Sequence, residues 1–475
     1  MFFLRSCYLF VAVFATCPLF SLHLADHPRV HDDQKKVIRP YTSLHDKSLQ
    51  SKSLQSSPQK LQEDIIKRYQ EELQKHDFKL TRSLVKQAPY YKISKTMLRE
   101  LAKKTQFTEL EAAVDFAKEC KTYYPGVPVK SYDLISSALF IEELKLKANK
   151  KQFFSIDETK LTHDIEYDLT TGDYYIHLSS DQNGIIGRGL YKVVTKAFMY
   201  RPKPELLACL RQNSANDKEL YILKKIEGRP GVVQVLSTTF YKLPKKNVYS
   251  MYCKLYNKGE LTNCFRNKDN VLSFKEKISV AVDLLTGLQE IQSQGIIHKD
   301  LCPQNCLLDI STIQGERKVS AVISDFGCAI ELDEAQGVWV QGHTEYTPPE
   351  GIYMERMRGK DYFQADLFAM GNILYELYYN KAPSWFSIWH VKGSGTPEAR
   401  YNNYVKQIEK ELLPKYIELQ RKKTEQVPLS LEEEFEYLVF QMCHPNPDMR
   451  HTAEYHVKEF SALFERANSL PNTSL

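Results

Sequence analysis

Apolar residues recur at every fourth position in Leu61, Ile65, Tyr69 and Leu73, the spacing that lines one face of a 3.6-residue helix. Met97 to Lys118 and Tyr132 to Ala148 repeat that amphipathic pattern, and Pro125 and Pro128 between them predict a break. Near Ile165 the period shortens to that of a strand. Thr170-Thr171-Gly172-Asp173, set between Tyr167 and the run Tyr174-Tyr175-Ile176, predicts a hairpin turn. Further on, Leu220, Leu223 and Ile226 form the inward face of one predicted helix, and Phe274 to Ser293 predicts a long one. Upstream of all these, residues 26–58 are polar, carry the short repeat Ser48-Leu49-Gln50 and Ser53-Leu54-Gln55, and predict a flexible linker.

The first 25 residues read as a targeting segment, with Arg5 ahead of the apolar run from Cys7 to Ala15. Two fates are open. A secretory signal is preferred, although no clean small-x-small cleavage site follows. An uncleaved membrane anchor is the alternative, for apolar character runs on to Leu24, but Pro18 and His23 suit a bilayer centre poorly. The expected organisation is therefore 1–25 targeting segment, 26–58 linker, 59–160 helical segment and 165–468 a larger body.

Composition supports a globular chain: 475 residues with 43% hydrophobic and 12% aromatic side chains suffice for a sizeable core. The net charge of +5 is unevenly spread. Residues 26–160 carry 26 Lys and Arg against 19 Asp and Glu, and residues 161–475 carry 37 against 40. Because the front-segment lysines alternate with glutamates at helical spacing, they read as a solvated helix face rather than a surface for acidic partners or a membrane. Ten cysteines without regular pairing do not read as a disulfide framework, and none forms a C-x-x-C metal pair. Cys302, Cys306 and Cys328 instead cluster beside the chemistry described next. Such thiols suit a reducing workplace, so export into another cell's cytosol reconciles them with a secretory signal.

That chemistry centres on Gly295-Ile296-Ile297-His298-Lys299-Asp300-Leu301-Cys302-Pro303-Gln304-Asn305, followed by Ser324-Asp325-Phe326-Gly327. Together these residues resemble the protein-kinase catalytic loop H-R-D-L-x-x-x-N and its D-F-G metal motif. Phosphoryl transfer needs a carboxylate beside the attacking hydroxyl, and separate amide and carboxylate ligands for magnesium. The resemblance implies that Asp300, Asn305 and Asp325 supply those groups. Ile186-Gly187-Arg188-Gly189-Leu190-Tyr191-Lys192-Val193-Val194 is similar to the kinase Gly-rich loop at Gly187, Gly189 and Val194, with Lys192 where the third glycine belongs.

The strand lysine that holds ATP phosphates in this family is missing, and Cys209 or Leu210 stands in its place. Lys192 together with a strand cysteine resembles the with-no-lysine kinases, which take the phosphate-binding amine from the Gly-rich strand. Glu219 then resembles the helix glutamate that pairs with that amine. Val248 to Leu255 resembles the strand leading to the hinge, with Lys254 and Tyr256 beside the nucleotide. Tyr346-Thr347-Pro348-Pro349-Glu350 resembles the Y-x-A-P-E segment, Asp366 the buried aspartate that caps the catalytic loop, and Arg450 the partner of Glu350.

The resemblance covers about residues 165–468. It implies an α+β, bilobal fold with a β-rich first lobe and a helical second lobe, preceded by the helical segment. It also implies ATP and Mg2+ as cofactors and a protein substrate, Ser or Thr more than Tyr. No nucleic-acid partner is implied, and a membrane one only if the N-terminal segment stays uncleaved. Asp300, Lys192 and Glu219 are the expected catalytic residues. Gly187, Gly189, Val194, Lys192, Lys254 and Tyr256 are the nucleotide contacts, with Asn305 and Asp325 on the metal. Three departures stand out: Lys299 replaces the usual arginine, Cys302 the usual D-L-K-P lysine, and His343 the threonine that meets that lysine. A pseudokinase scaffold that binds nucleotide or partner proteins without phosphotransfer is the alternative.

Overall fold

The computed structural model describes residues 107–127, parts of 129–145, 165–168, 171–178, 184–188, 192–212, 217–242, 247–266, 271–335, 343–386 and 396–469. All of them belong to the compact unit Pro58–Leu475. The expected targeting segment, the linker and the helical stretch at 61–73 lie outside the described residues. Among the described residues no helix is long and apolar enough to cross a membrane.

Helix α1 (Phe107–Tyr123) and the helical turns around 134–142 precede the strands. Their apolar faces share one core with the hairpin that follows. Phe116, Cys120, Leu134 and Leu139 pack with Ile165, Ile176 and Phe198, and the Phe116 ring lies 4.7 Å from that of Tyr200. Strands β1 (Ile165–Tyr167) and β2 (Tyr174–His177) pair with Tyr167 opposite Tyr174. Gly172, at φ 75°, supplies the left-handed turn residue. The Asp168 carboxylate accepts the Thr171 hydroxyl at 3.1 Å and steadies that turn.

Strands β3 (Ile185–Arg188), β4 (Lys192–Met199), β5 (Glu205–Gln212), β6 (Val235–Lys242) and β7 (Asn247–Lys254) complete an antiparallel sheet of order β1-β2-β4-β5-β7-β6, with β3 also beside β4. Helix α2 (Asp217–Lys225) connects β5 to β6. One carboxylate ties the curled sheet together. Glu166 of β1 is buried and accepts the hydroxyls of Thr239 (2.7 Å) and Ser250 (3.2 Å), the Tyr252 hydroxyl and the Arg211 guanidinium, with His177 at 3.2 Å. Burial alone would raise its pKa, but His177 and Arg211 outweigh burial and hold the carboxyl well below its ordinary range.

The second lobe is helical. Strand β8 (Gly259–Glu260) and α3 (Thr262–Arg266) lead into α4 (Phe274–Ser293), whose start carries a reciprocal Ser273–Glu276 capping box. Strand β9 (Ile296–Ile297) follows, then the hairpin β10 (Cys306–Ile313) and β11 (Glu316–Ile323), and β12 (Ile330–Glu331), which pairs back onto β9. Helices α5 (Asp361–Tyr379), α6 (Pro397–Thr424), α7 (Leu431–Met442) and α8 (Ala453–Ser469) complete the lobe around one large core. The long helix predicted over Phe274–Ser293 and the α+β two-lobed class are both as expected.

The two lobes meet at a backbone contact that admits no side chain. A Cβ on Gly287 of α4 would overlap the carbonyl of Gly231, and one on Gly231 would overlap the backbone of Gly287. Gly287→Ala is therefore expected to lower folding stability by about 1–3 kcal/mol through overpacking. Gly126→Ala, where a Cβ meets nothing within 4 Å, is the control. Urea midpoints for the two variants check this, and equal midpoints would refute the close approach.

Candidate active site

The catalytic-loop segment is shaped by a carboxylate that the sequence places 66 positions after Asp300. Asp366 of α5 is buried and accepts the backbone N–H groups of His298 (2.7 Å) and Lys299 (3.0 Å). Aiming two consecutive amides at one carboxylate bends the chain, and Lys299 sits at φ 66° without being glycine. Burial pushes the Asp366 carboxyl up to about 6, although His298 and the two amides pull the other way.

His298 links this loop to the next. Its Nε2 lies 3.0 Å from the Ser324 carbonyl, its ring packs 4.9 Å from that of Phe326, and its Nδ1 accepts the Asp300 N–H at 3.3 Å. The chain then turns through a single 3-10 turn, Pro303–Asn305. Asn305 Nδ2 donates back to the Asp300 carbonyl (2.7 Å) and to Asp300 Oδ2 (3.2 Å). With its nitrogen so engaged, the amide oxygen is the atom left for a cation.

Asp325 occupies the left-handed region at φ 61°, and its Oδ1 accepts the Gly327 N–H at 3.2 Å. Lys192 Nζ donates to the same oxygen at 2.8 Å and to Glu219 Oε1 at 2.5 Å. Burial would discharge this ammonium, but Glu219 and Asp325 outweigh it and raise the Lys192 pKa above its ordinary value. A Cβ at Gly327 would stand 3.3 Å from Lys192 Nζ and 3.2 Å from Asp325 Oδ1, so a larger residue there would press on both members of the pair.

Strand alternation decides between Cys209 and Leu210. Cys209 is buried on one side of the sheet with Tyr175, Met199 and Tyr252, whereas Leu210 packs against the large core on the other. Val194 is the register partner of Leu210, and Lys192 lies two residues along the same strand, so these three share a face. Leu210 therefore holds the missing lysine's place, and Lys192 reaches Glu219 from the neighbouring strand. Arg211 falls on the opposite face, where Glu166 takes its guanidinium.

The remaining expected nucleotide contacts are spread along the sheet edge and hinge. Gly187 lies in β3 opposite Val194, and Gly189 is outside the described residues. Lys254 gives its ammonium to Asp309 at 2.7 Å, 5.2 Å from the buried Tyr256 ring. The Lys254 side chain is half-exposed within that ion pair, and the Tyr256 carbonyl accepts the Gly259 N–H at 3.0 Å. The structure brings Lys192, Glu219 and Asp325 into one cluster and Asp300 with Asn305 into a second. Glu350 and Arg450 form the expected pair, bidentate at 2.5 and 3.0 Å, with the Arg450 side chain fully buried.

Sequence reasoning missed one contact. His343 donates its backbone N–H to Asp300 Oδ1 at 3.0 Å, and its Nδ1 lies 2.9 Å from the same oxygen. Hydrogen bonding to Asp300, and then to Cys302, raises the His343 pKa from 6.5 to about 11. Burial pushes the Cys302 thiol up to about 11, against the pull of His343. The signal was present in the paired replacements at 302 and 343, but their meeting at Asp300 is a tertiary fact.

A curled antiparallel sheet over a helical lobe, with a paired ammonium and carboxylates where the lobes meet, defines the phosphotransferase class of fold. Residues 181–460 match the family model for the protein kinase domain, and the chain belongs to that family. Serine/threonine-protein kinase ULK1 of Homo sapiens is 30% identical over 217 residues, 42% of this chain and 19% of that protein. The phosphorylase b kinase gamma catalytic chain, liver/testis isoform, of Homo sapiens is 26% identical over 224 residues, covering 43% and 52%. Tyrosine-protein kinase receptor svh-2 of Caenorhabditis elegans is 25% identical over 242 residues, covering 48% and 21%. The chain thus spans about half or less of the length of the curated relatives it matches.

His343 makes stability depend on pH with a definite sign. A folded pKa of about 11 against an ordinary 6.5 contributes stability that is complete below 6.5 and is lost as pH rises toward 11. His343→Gln is expected to flatten the stability curve over that interval. Denaturant midpoints measured across it for both proteins check the point, and identical slopes would exclude the His343–Asp300 bond as a source of stability.

Proposed function

We propose that this chain is an ATP- and magnesium-dependent protein kinase that transfers the γ-phosphate to protein hydroxyls, serine and threonine in preference to tyrosine. The observation that carries the proposal is Lys192, an ammonium from the Gly-rich strand held between Glu219 and Asp325. An ion pair of that kind supplies a fixed positive charge for phosphates, and the requirement is for an amine at a point in space rather than in sequence.

The oxygen donors present suit magnesium: the Asp325 carboxylate and the Asn305 amide oxygen are hard ligands. When bound, the ion would neutralise phosphate charge. Asp300 then serves to orient the acceptor hydroxyl and take its proton, and Glu219 steadies Lys192. Gly187 and Gly189 lend close-approaching backbone, while Val194 and the 254–256 backbone, with Lys254 and Tyr256 at its ends, flank the base. The preference for serine and threonine follows the 30% identical relative, a serine/threonine-protein kinase.

One observation favours a second reading, a scaffold that binds nucleotide without phosphotransfer. Asp300 Oδ1 already takes two bonds from His343 and Oδ2 one from Asn305, so most of the carboxylate's acceptor capacity is spent within the protein.

Turnover with labelled ATP decides between the readings. Lys192→Met is expected to cut phosphotransfer about 100-fold or more, because its charge opposes charge that builds in the transition state. Asp300→Asn is expected to do likewise. Arg211→Met should instead spare turnover in the cold while costing about 3–5 kcal/mol of stability, since it strands the buried Glu166 carboxylate. Wild-type protein with no turnover on any substrate would transfer the proposal to the scaffold.

Magnesium has its own test. Asp325→Ala is expected to abolish the magnesium-dependent part of the thermal shift that ATP induces, leaving any metal-independent part intact. The same magnesium-dependent shift in both proteins would remove Asp325 from the metal site.

A further inference from the structure

Asp300, Cys302 and His343 form a group whose ligand-type atoms, a carboxylate oxygen, a thiol sulfur and an imidazole nitrogen, all lie within 4.8 Å of one another. They come from two stretches of chain, each fixed independently. The first is held by Asp366 through His298 and Lys299, and by Asn305 folding back onto Asp300. The second runs into the turn Thr344–Tyr346, where Tyr346 donates its hydroxyl to Glu376 at 2.5 Å and packs its ring 4.9 Å from Phe386.

We propose that Asp300, Cys302 and His343 constitute an inhibitory zinc site, at which a bound Zn2+ takes the carboxylate that would otherwise serve the acceptor hydroxyl. The donor set is the argument for zinc over magnesium. A thiolate and an imidazole are soft and borderline ligands that magnesium and calcium decline, whereas one Cys, one His and one carboxylate suit a tetrahedral zinc with a fourth position for water. A convergence of three different donor types is also unlike the exposed acidic clusters that commonly bind nothing.

Local support for each donor is present. The Cys302 side chain is fully buried, so its sulfur is already positioned, and Asp300 is oriented by the Asn305 amide. Coordination replaces the His343–Asp300 hydrogen bond with two bonds to the metal. The thiol proton of Cys302 and the bridging proton of His343 leave to solvent as S–Zn and N–Zn bonds form. No redox step is involved. Only the inhibitory consequence rests on the kinase reading; the metal binding does not.

The full chain, stripped of metal with a chelator, is titrated with Zn2+ against a chromophoric zinc indicator, and in parallel with Co2+. The expected result is saturable binding in wild type, weakened about tenfold or more by Cys302→Ser and by His343→Gln. A thiolate-to-cobalt charge-transfer band should be present in wild type and lost in Cys302→Ser. Should Cys302→Ser fail to fold, His343→Gln carries the test alone, because that side chain is 42% exposed and removes no core packing. Zinc binding of equal strength in wild type and His343→Gln, or a charge-transfer band that survives in folded Cys302→Ser, overturns the proposal. In the activity arm, zinc at fixed magnesium should slow wild-type turnover more than it slows His343→Gln, each relative to its own zinc-free rate. Equal sensitivity overturns the inhibitory role, while absent turnover in zinc-free wild type counts against the kinase reading and leaves the binding result to stand.

Discussion

Everything in the second lobe's chemistry hangs on one buried carboxylate. Taking a carboxylate out of water costs several kcal/mol unless hydrogen bonds replace hydration. Asp366 is offered two backbone amides, those of His298 and Lys299, and they come only with a bend in the chain. That bend aims the Asp300 backbone at His298 Nδ1 and lets Asn305 fold back onto Asp300. A helix residue in the core thus sets the angle of a loop that carries its functional groups near the surface. The bent loop is strained at Lys299, and the carboxylate is desolvated, yet each defect answers the other.

The sheet lobe follows the same logic with a different outcome. Glu166 is as buried as Asp366, but it gathers a guanidinium, an imidazole and three hydroxyls rather than two amides. Its effect is to pin β1 across to β6 and β7, curling the sheet and consuming Arg211. Lys192 stands on the opposite face, and its partners come from α2 and from the loop after β11. Two cations, on strands paired side by side, are sorted to opposite faces by alternation alone. One became structure and the other faces Asp325.

Much of this was legible in the sequence where the geometry is local. His298, Asp300 and Asn305 lie within one turn of chain, and Asp325 follows one hairpin later, so their spacing is the geometry. The helix over Phe274–Ser293 was legible because its apolar period continues over five turns. Cys209 and Leu210 could not be separated, since a slip of one residue exchanges the faces of a strand and no motif marks the phase. Glu166 gave no signal at all, for its partners lie on four other strands, and all but His177 stand 45 to 86 positions away. The helical segment's role was equally hidden: its apolar face looks the same whether it covers a sheet or another helix, and here it covers β2 and β4.

His343 shows how a changed contact conserves its physics. The motif this loop resembles has a lysine at the Cys302 position, meeting a threonine at the His343 position. Here Cys302 removes the lysine's charge, and burial keeps the thiol protonated. His343 brings a charge back from the other side of the contact, because Asp300 raises its pKa far above 6.5. A cation beside Asp300 is therefore kept, but it is carried by a ring nitrogen on a different segment. A lysine ammonium has no lone pair for a metal, whereas imidazole and thiol both do once their protons leave. The same pair of replacements that preserves the electrostatics of the loop at neutral pH is thus what gives it ligands for zinc.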